Sequence, residues 1–261
     1  MQTHPPADPA LVAELRAAGC VFAEEEAALL LADRPARAVL DERVRRRVDG
    51  EPLEYVLGWA EFCGHRVTVM AGVFVPRRRT EFLVELAVQF LAERVEPLVV
   101  DLCCGTGAIG LALGRARPAA RIRGADLDPD AVACAATNLA AIGGVVYRSD
   151  VFDGLPIELR GAIDVIAANA PYVPTDAIAL MPAEARLHEH RVALDGGADG
   201  LDLHRRIAGQ AADWLRPGGY LLIETSEQQA YRTAGAMRAG GLRPAIERDE
   251  VRDATVVLGT H

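Results

Sequence analysis

Apolar and polar positions follow two rhythms along the chain. Up to about residue 50, apolar side chains recur every three to four positions among Ala, Leu and Glu, all strong helix formers. The spacing predicts helices over 10–18, 23–32 and 36–48. Asp8-Pro9 supplies a cap and a first-turn proline to the first; Gly19 closes it, Pro35 breaks the second, and Asp49-Gly50 ends the third. Between 59 and 75 the texture changes. Phe62, Val67, Val69, Val73, Phe74 and Val75 stand among Gly64 and Gly72, and this alternation with turn residues predicts an antiparallel hairpin.

From Pro97 onward strand and helix alternate. Strands are expected over 98–102, 121–125, 145–148, 163–168 and 220–224, and helices over 108–116, 129–140, 201–215 and 228–239. Pro217-Gly218-Gly219 reads as the stop of the helix at 201–215, and 250–258 as two short stretches of a last strand. Such alternation with short links means an α/β fold, a mostly parallel sheet covered on both faces. Ligands of such sheets bind at the carboxyl ends of the strands. The chain therefore divides into a helical segment 1–58, a hairpin linker 59–80 and an α/β domain 81–261.

Composition narrows the function classes. Of 261 residues, 51% are hydrophobic and 25% charged, enough to bury a full core. The net charge is -9, which argues against stable binding of nucleic acid through its phosphates. There is no lysine; Arg43, Arg45, Arg46 and Arg47 read as a solvated helix face. The five cysteines, at 20, 63, 103, 104 and 134, are odd in number and lack Cys-x-x-Cys spacing, so neither a disulfide framework nor a metal site is expected and a reducing cytoplasm fits. The opening Met-Gln-Thr-His-Pro-Pro lacks the pattern of a secretory signal, and no apolar run of about 18 residues spans a membrane.

Candidate chemistry gathers at the ends of four strands. Asp101-Leu102-Cys103-Cys104-Gly105-Thr106-Gly107 joins an apolar strand to a helix; small residues let a ligand approach the backbone, and the helix start offers free N–H groups. Asp126 ends the next strand, where a carboxylate can accept both hydroxyls of a ribose. Gly105-x-Gly107-x-x-Gly110 followed by Asp126 also matches the dinucleotide fingerprint, which leaves a dinucleotide-dependent oxidoreductase as an alternative. Three features favour a methyl donor instead: Asp101 before the glycines, Asp150 in Ser149-Asp150-Val151-Phe152 after the third strand, and Asn169-Ala170-Pro171-Tyr172 after the fourth.

The last of these carries chemistry. An amide nitrogen is a poor nucleophile because its lone pair is delocalised. An Asn169 side-chain oxygen and an Ala170 carbonyl can each accept one N–H of an incoming NH2 group, while Tyr172 packs on its plane. The gain is positioning and electrostatic complementarity to charge developing on nitrogen. Elsewhere, Cys104 reads as a packing residue, His188 and His190 as surface or wall residues, and Glu224 as either structural or lining the site.

These residues resemble the release-factor glutamine methyltransferase (HemK/PrmC) family over about residues 50–230. The resemblance is carried by Glu54-Tyr55-Val56-Leu57-Gly58 with Glu61-Phe62, by Val75-Pro76-Arg77 with Thr80-Glu81, by the Asn-x-Pro-Tyr loop and by the stretch from Ala193 to Leu201. It implies a Rossmann-like seven-stranded sheet, S-adenosylmethionine as methyl donor, and a small N-terminal helical domain that recognises a release factor. By position it implies that the backbone of residues 103–107 holds the donor's methionine part, Asp126 its ribose, Leu127 its adenine, with Asp150, Val151 and Phe152 bracketing that base. It implies likewise that Asn169 and Tyr172 hold the target amide, and that this amide is the glutamine of a Gly-Gly-Gln tip. The chain departs from the pattern at Ala170, where the family has Pro, at Cys103, where it has Gly, and at Arg78 and Arg79, where it has Pro and an acid. The same loop chemistry suits a small metabolite or an exocyclic base amine of ribosomal RNA.

Overall fold

The computed structural model describes residues 8–261; residues 1–7, which include the opening segment considered above for a secretory signal, lie outside the described residues. Four helices come first: α1 (Pro9–Ala17), α2 (Ala23–Leu31), α3 (Arg37–Val48) and the short α4 (Leu53–Leu57). The Asp8 side chain accepts from Ala10 N at 2.9 Å, capping α1 ahead of Pro9. Leu11, Leu15, Ala27, Leu30, Val44 and Val56 pack into an apolar cluster of their own.

The hairpin β1 (Trp59–Phe62) and β2 (His65–Thr68) turns through Cys63 and Gly64, both left-handed at φ 50° and 73°. Pairing ends at Thr68, not at Val75 as the alternation suggested. Gly72, at φ 86°, turns the chain out of register, and 69–80 instead runs as a strap whose Val69, Val73 and Val75 are buried and whose end, Arg78–Thr80, is a single 3-10 turn. Tyr55 Oη donates to Val73 O at 2.7 Å and holds it.

The strap leads into α5 (Glu81–Leu91), an apolar-faced helix absent from the sequence reading. The sheet follows: β3 (Leu98–Leu102), α6 (Ala108–Ala116), β4 (Arg121–Asp126), α7 (Pro129–Leu139), β5 (Val145–Arg148), β6 (Ile163–Ala168), α8 (Ala183–His188), α9 (Asp202–Trp214), β7 (Leu215–Thr225), α10 (Glu227–Ala239), β8 (Arg243–Asp249) and β9 (Ala254–Thr260). Strand order is β5-β4-β3-β6-β7-β9-β8, with β9 antiparallel to both neighbours. The expected mostly parallel, seven-stranded sheet is thus present. β3 and β6 are buried along their whole length, as strands covered on both faces must be. Leu98, Val100 and Leu102 face the core under α9 and α10, and Val99 faces the one under α5, α6 and α7.

Two boundaries differ from expectation. Pro217-Gly218-Gly219 does not stop a helix; it lies within β7, where a register shift opposite Ile163 and Val165 absorbs it. The last strand is a hairpin, β8 and β9, turning at 250–253, so the turn replaces the first of the two stretches expected there. The order reverses between β3 and β6, and the loops after these two strands open a crevice there.

Candidate active site

A cleft with an empty volume of about 1210 Å³ lies over the carboxyl ends of β3, β4, β5 and β6. It is lined by Cys103, Cys104, Gly105, Thr106, Asp126, Leu127, Asp150, Val151, Asn169, Ala170, Pro171 and Tyr172, and covered by Phe74 and Arg79 of the strap and by Met181, Val192 and Leu194.

At one end the β3–α6 loop winds tightly, with Cys103, Gly105 and Gly107 all left-handed at φ 56°, 52° and 75°. Cys103 occupies a conformation that favours glycine and carries the strain of its Cβ. In front of Gly105 a Cβ would meet only the Cβ of Phe74, at 4.0 Å, so the backbone there is open to a ligand. Gly105 N donates to Asp126 Oδ2 at 2.8 Å and Asp128 N to Oδ1 at 3.0 Å. Each oxygen keeps a lone pair for a hydroxyl. Burial raises the Asp126 pKa against those N–H bonds. Leu127 is 46% exposed, an apolar side chain turned into the cleft. Asp150 pairs with Arg206 at 3.0 Å.

Three residues expected here stand outside the cleft. Asp101 shares the face of Val99, so its fully buried carboxyl points at α6 and accepts from Gly110 N at 2.8 Å. Burial holds its pKa well above the usual carboxylate range. At Gly107 a Cβ would meet Ala135 Cβ at 3.1 Å, so this glycine serves the close packing of α7. Phe152 turns into the core, where it stacks on Trp214 with ring centres 5.4 Å apart, and leaves Val151, at φ 54°, on the cleft. The Cys103 and Cys104 thiols are pushed up by burial and stay neutral, which suits packing and not nucleophilic attack.

At the other end Asn169 Nδ2 donates to Thr80 Oγ1 at 3.2 Å. With its NH2 group engaged, the amide presents Oδ1 as the free acceptor. Pro171 holds Ala170 extended, and Gln229 Nε2 donates to Tyr172 O at 2.9 Å. Tyr172 Oη donates to Glu224 Oε1 at 3.4 Å, and burial pushes the phenol up to about 12, so it is neutral. Glu224 is thus buried behind Tyr172, where Arg79 Nε also reaches it at 3.1 Å. His204 lies beneath, its ring centre 6.2 Å from that of Tyr172. Glu189, between His188 and His190, is buried against Arg77 at 2.6 Å and braces the strap. His190 Nδ1 lies 2.6 Å from Asp128 Oδ2. Nothing in the sequence pattern marks Gln229 or Glu189 as site residues, and the Pro-Arg-x-x-Thr-Glu resemblance is the one signal for Thr80.

Residues 65–197 match the methyltransferase small domain family. A release factor glutamine methyltransferase from Geobacter sulfurreducens is 38% identical over 83% of this chain and 75% of its own. The chain belongs to the release factor glutamine methyltransferase family. A further relative, a 4-amino-L-phenylalanine/4-methylamino-L-phenylalanine methyltransferase from Streptomyces pristinaespiralis, is 38% identical over 76% of this chain and 69% of its own. Among solved structures, the T. thermophilus 16S rRNA N2 G1207 methyltransferase superposes with a TM-score of 0.53 at 22% identity, covering 77% of this chain and 49% of that one, a likeness of fold. As a member of this family the protein is an S-adenosylmethionine-dependent methyltransferase. The cleft fits that donor: open room before Gly105, an apolar side chain at Leu127 for a base to cover, and Asp126 with two lone pairs for a diol. No helix among the described residues is long and apolar enough to cross a membrane.

Proposed function

We propose that this methyltransferase transfers the methyl group to the side-chain amide nitrogen of a protein glutamine, the Gly-Gly-Gln glutamine of a peptide-chain release factor. The observation that carries the reading is the orientation of Asn169: Thr80 takes its NH2 group, which leaves Oδ1 as an acceptor for an incoming NH2, with the neighbouring Ala170 carbonyl as the second acceptor the reading requires. Both N–H bonds of the substrate amide are thereby engaged, its nitrogen is held, and Tyr172 packs against its plane. When bound, S-adenosylmethionine supplies an electrophilic methyl group on a sulfonium that leaves as a neutral thioether. Asp126 would hold the donor's ribose, Leu127 and Val151 its adenine, and the backbone of 103–107 its amino-acid tail. The two acceptors stabilise the positive charge that develops on nitrogen, which makes that nitrogen acidic and removes the need for a strong general base. Helices α1 to α4 would read the release factor, and the reading places the enzyme in the cytoplasm.

The test incubates the protein with radiolabelled S-adenosylmethionine and a purified release factor, beside a copy whose Gly-Gly-Gln glutamine is changed to Ala. Label on the first alone is the expected result. Label on neither, with S-adenosylhomocysteine binding intact, would discard the release factor as substrate. Asn169→Ala with full activity would discard the catalytic assignment.

A second reading has a specific observation behind it. Arg79 stands at the acceptor end of the cleft, and a related enzyme acts on an arylamine that also carries a carboxylate.

A further inference from the structure

The acceptor end holds a cation that glutamine methylation does not use. Arg79 follows directly on the exposed Arg78 and precedes Thr80, the residue that orients Asn169. Its side chain is 43% exposed and lines the cleft. Its Nε donates to Glu224 Oε1 at 3.1 Å, and its side chain also hydrogen-bonds Tyr172. Its guanidinium carbon stands 6.0 Å from the centre of the Tyr172 ring. Glu224 and Tyr172 therefore hold part of the guanidinium, and its remaining N–H donors are left for a ligand.

Charge is sorted along the cleft. Asp126, Asp128 and Asp150 lie over β4 and β5, at one side of the sheet. Arg79 lies over β6 and β7, bound to Glu224 of β7 and beside Asn169 at the end of β6. An acceptor entering at Asn169 thus meets Arg79, paired with the buried Glu224, at the opposite end of the cleft from Asp126, Asp128 and Asp150. A glutamine inside a polypeptide has no carboxylate to offer it. A free amino acid does.

We propose that the site has a second activity, N-methylation of a free amino acid whose side chain ends in an arylamine, with Arg79 binding the acceptor's carboxylate. The proposal rests on the assignment of Asn169 and Ala170 as the acceptors for the NH2 group. The NH2 group lies between those two oxygens, the aromatic plane packs on Tyr172, and the carboxylate meets the outer edge of the Arg79 fork. The amine lone pair forms the new C–N bond as the donor's C–S bond breaks, and one N–H proton leaves to water. Arg79 touches the substrate far from the reacting atoms, so it determines specificity and takes no part in the transfer.

The experiment uses the full chain with S-adenosylmethionine and two probes, 4-amino-L-phenylalanine and its carboxamide, in which the acid alone is neutralised. Wild type is expected to methylate the acid with a kcat/KM about 10- to 100-fold above that of the carboxamide, the range set by a charge-assisted fork. Arg79→Gln leaves Glu224 buried without its partner and can unfold the chain, so the matching variant is the double Arg79→Gln, Glu224→Gln. There the preference for the acid collapses toward unity. A direct readout is the Kd of 4-amino-L-phenylalanine for protein saturated with S-adenosylhomocysteine, which weakens by the same factor in the double variant. Equal use of acid and carboxamide by wild type, or a preference that survives in the double variant, overturns the role of Arg79. Label on the release factor with neither methylation nor binding of either probe overturns the second activity and leaves the proposed function standing. Label on no acceptor, with S-adenosylhomocysteine still bound, overturns both.

Discussion

Thr80 and Asn169 lie 89 residues apart in sequence and meet side chain to side chain at 3.2 Å. Thr80 ends the strap before α5, and Asn169 follows β6, so the contact ties the cleft's cover to the Asn169–Tyr172 loop. An unrestrained amide turns over and presents NH2 where the mechanism needs oxygen. Thr80→Val keeps the shape and removes the hydroxyl. We expect kcat about 10- to 100-fold lower, with S-adenosylhomocysteine affinity unchanged, and recovery in Thr80→Ser. Single-turnover rates beside calorimetric Kd values separate the two; an unchanged rate in Thr80→Val would remove Thr80 from the mechanism.

Gly200 sets the position of Tyr172. Its φ is 75°, and a Cβ there would lie 2.3 Å from Tyr172 O and 2.4 Å from Gln229 Nε2. Gly200→Ala therefore breaks the Gln229–Tyr172 hydrogen bond and adds left-handed strain of about 1–2 kcal/mol. Activity should fall by more than tenfold, while the thermal shift given by S-adenosylhomocysteine persists, because Gly200 is not among the residues that line the cleft. Equal loss of both would mean general unfolding in place of a displaced Tyr172.

His204 makes the fold acid-sensitive. It is buried under the Asn169–Tyr172 loop, its Nδ1 lies 2.9 Å from Thr233 Oγ1, and burial lowers its pKa to about 4. The unfolded imidazole titrates near about 6.5. Between these values the unfolded chain binds the extra proton, so stability is lost as pH falls from about 6.5 toward 4, by about 3 kcal/mol in total. His204→Phe should lose less stability than wild type over that window in urea titrations, whatever its stability at pH 7. Parallel curves for the two proteins would show that His204 is not the titrating group.

The sequence pattern showed much of this fold and part of this site, for reasons visible in single elements. β3, β5 and β6 begin and end where expected, since their apolar runs are too short for helices and are bounded by polar and turn residues. The four polar positions at strand ends followed from the spacing of strand-helix units. Three of the residues named for the donor site stand elsewhere because spacing along a chain does not state which face a residue takes. Asp101 sits one alternation out of the cleft, and Phe152 turns inward past Val151. Nor does local pattern carry contacts such as Thr80–Asn169 or Glu189–Arg77, which close loops of about a hundred residues. The apolar run of α5 lay in the gap between the hairpin and the first expected strand, and its helical character showed only against the sheet.

Asp101 gives the opposite pH signature to His204. Its carboxyl is fully buried, one oxygen accepts from Gly110 N, and Oδ1 has no partner among the described residues. Burial therefore raises its pKa well above the ordinary value, and Asp126 adds to the effect. The unfolded side chain loses its proton near about 3.9, the folded one at higher pH. Between those points the folded chain holds the extra proton, so stability falls as pH rises through the window and stays lowered above it. Asp101→Asn keeps an oxygen for Gly110 N and cannot ionise. It should match wild type near pH 4 and become progressively more stable than wild type as pH rises to 8. The comparison must be variant against wild type at each pH, because His204 imposes a slope of the other sign between about 4 and 6.5. Urea midpoints that differ by a constant amount from pH 4 to 8 would mean that Asp101 does not titrate, and that the carboxyl is held in one state by contacts other than burial.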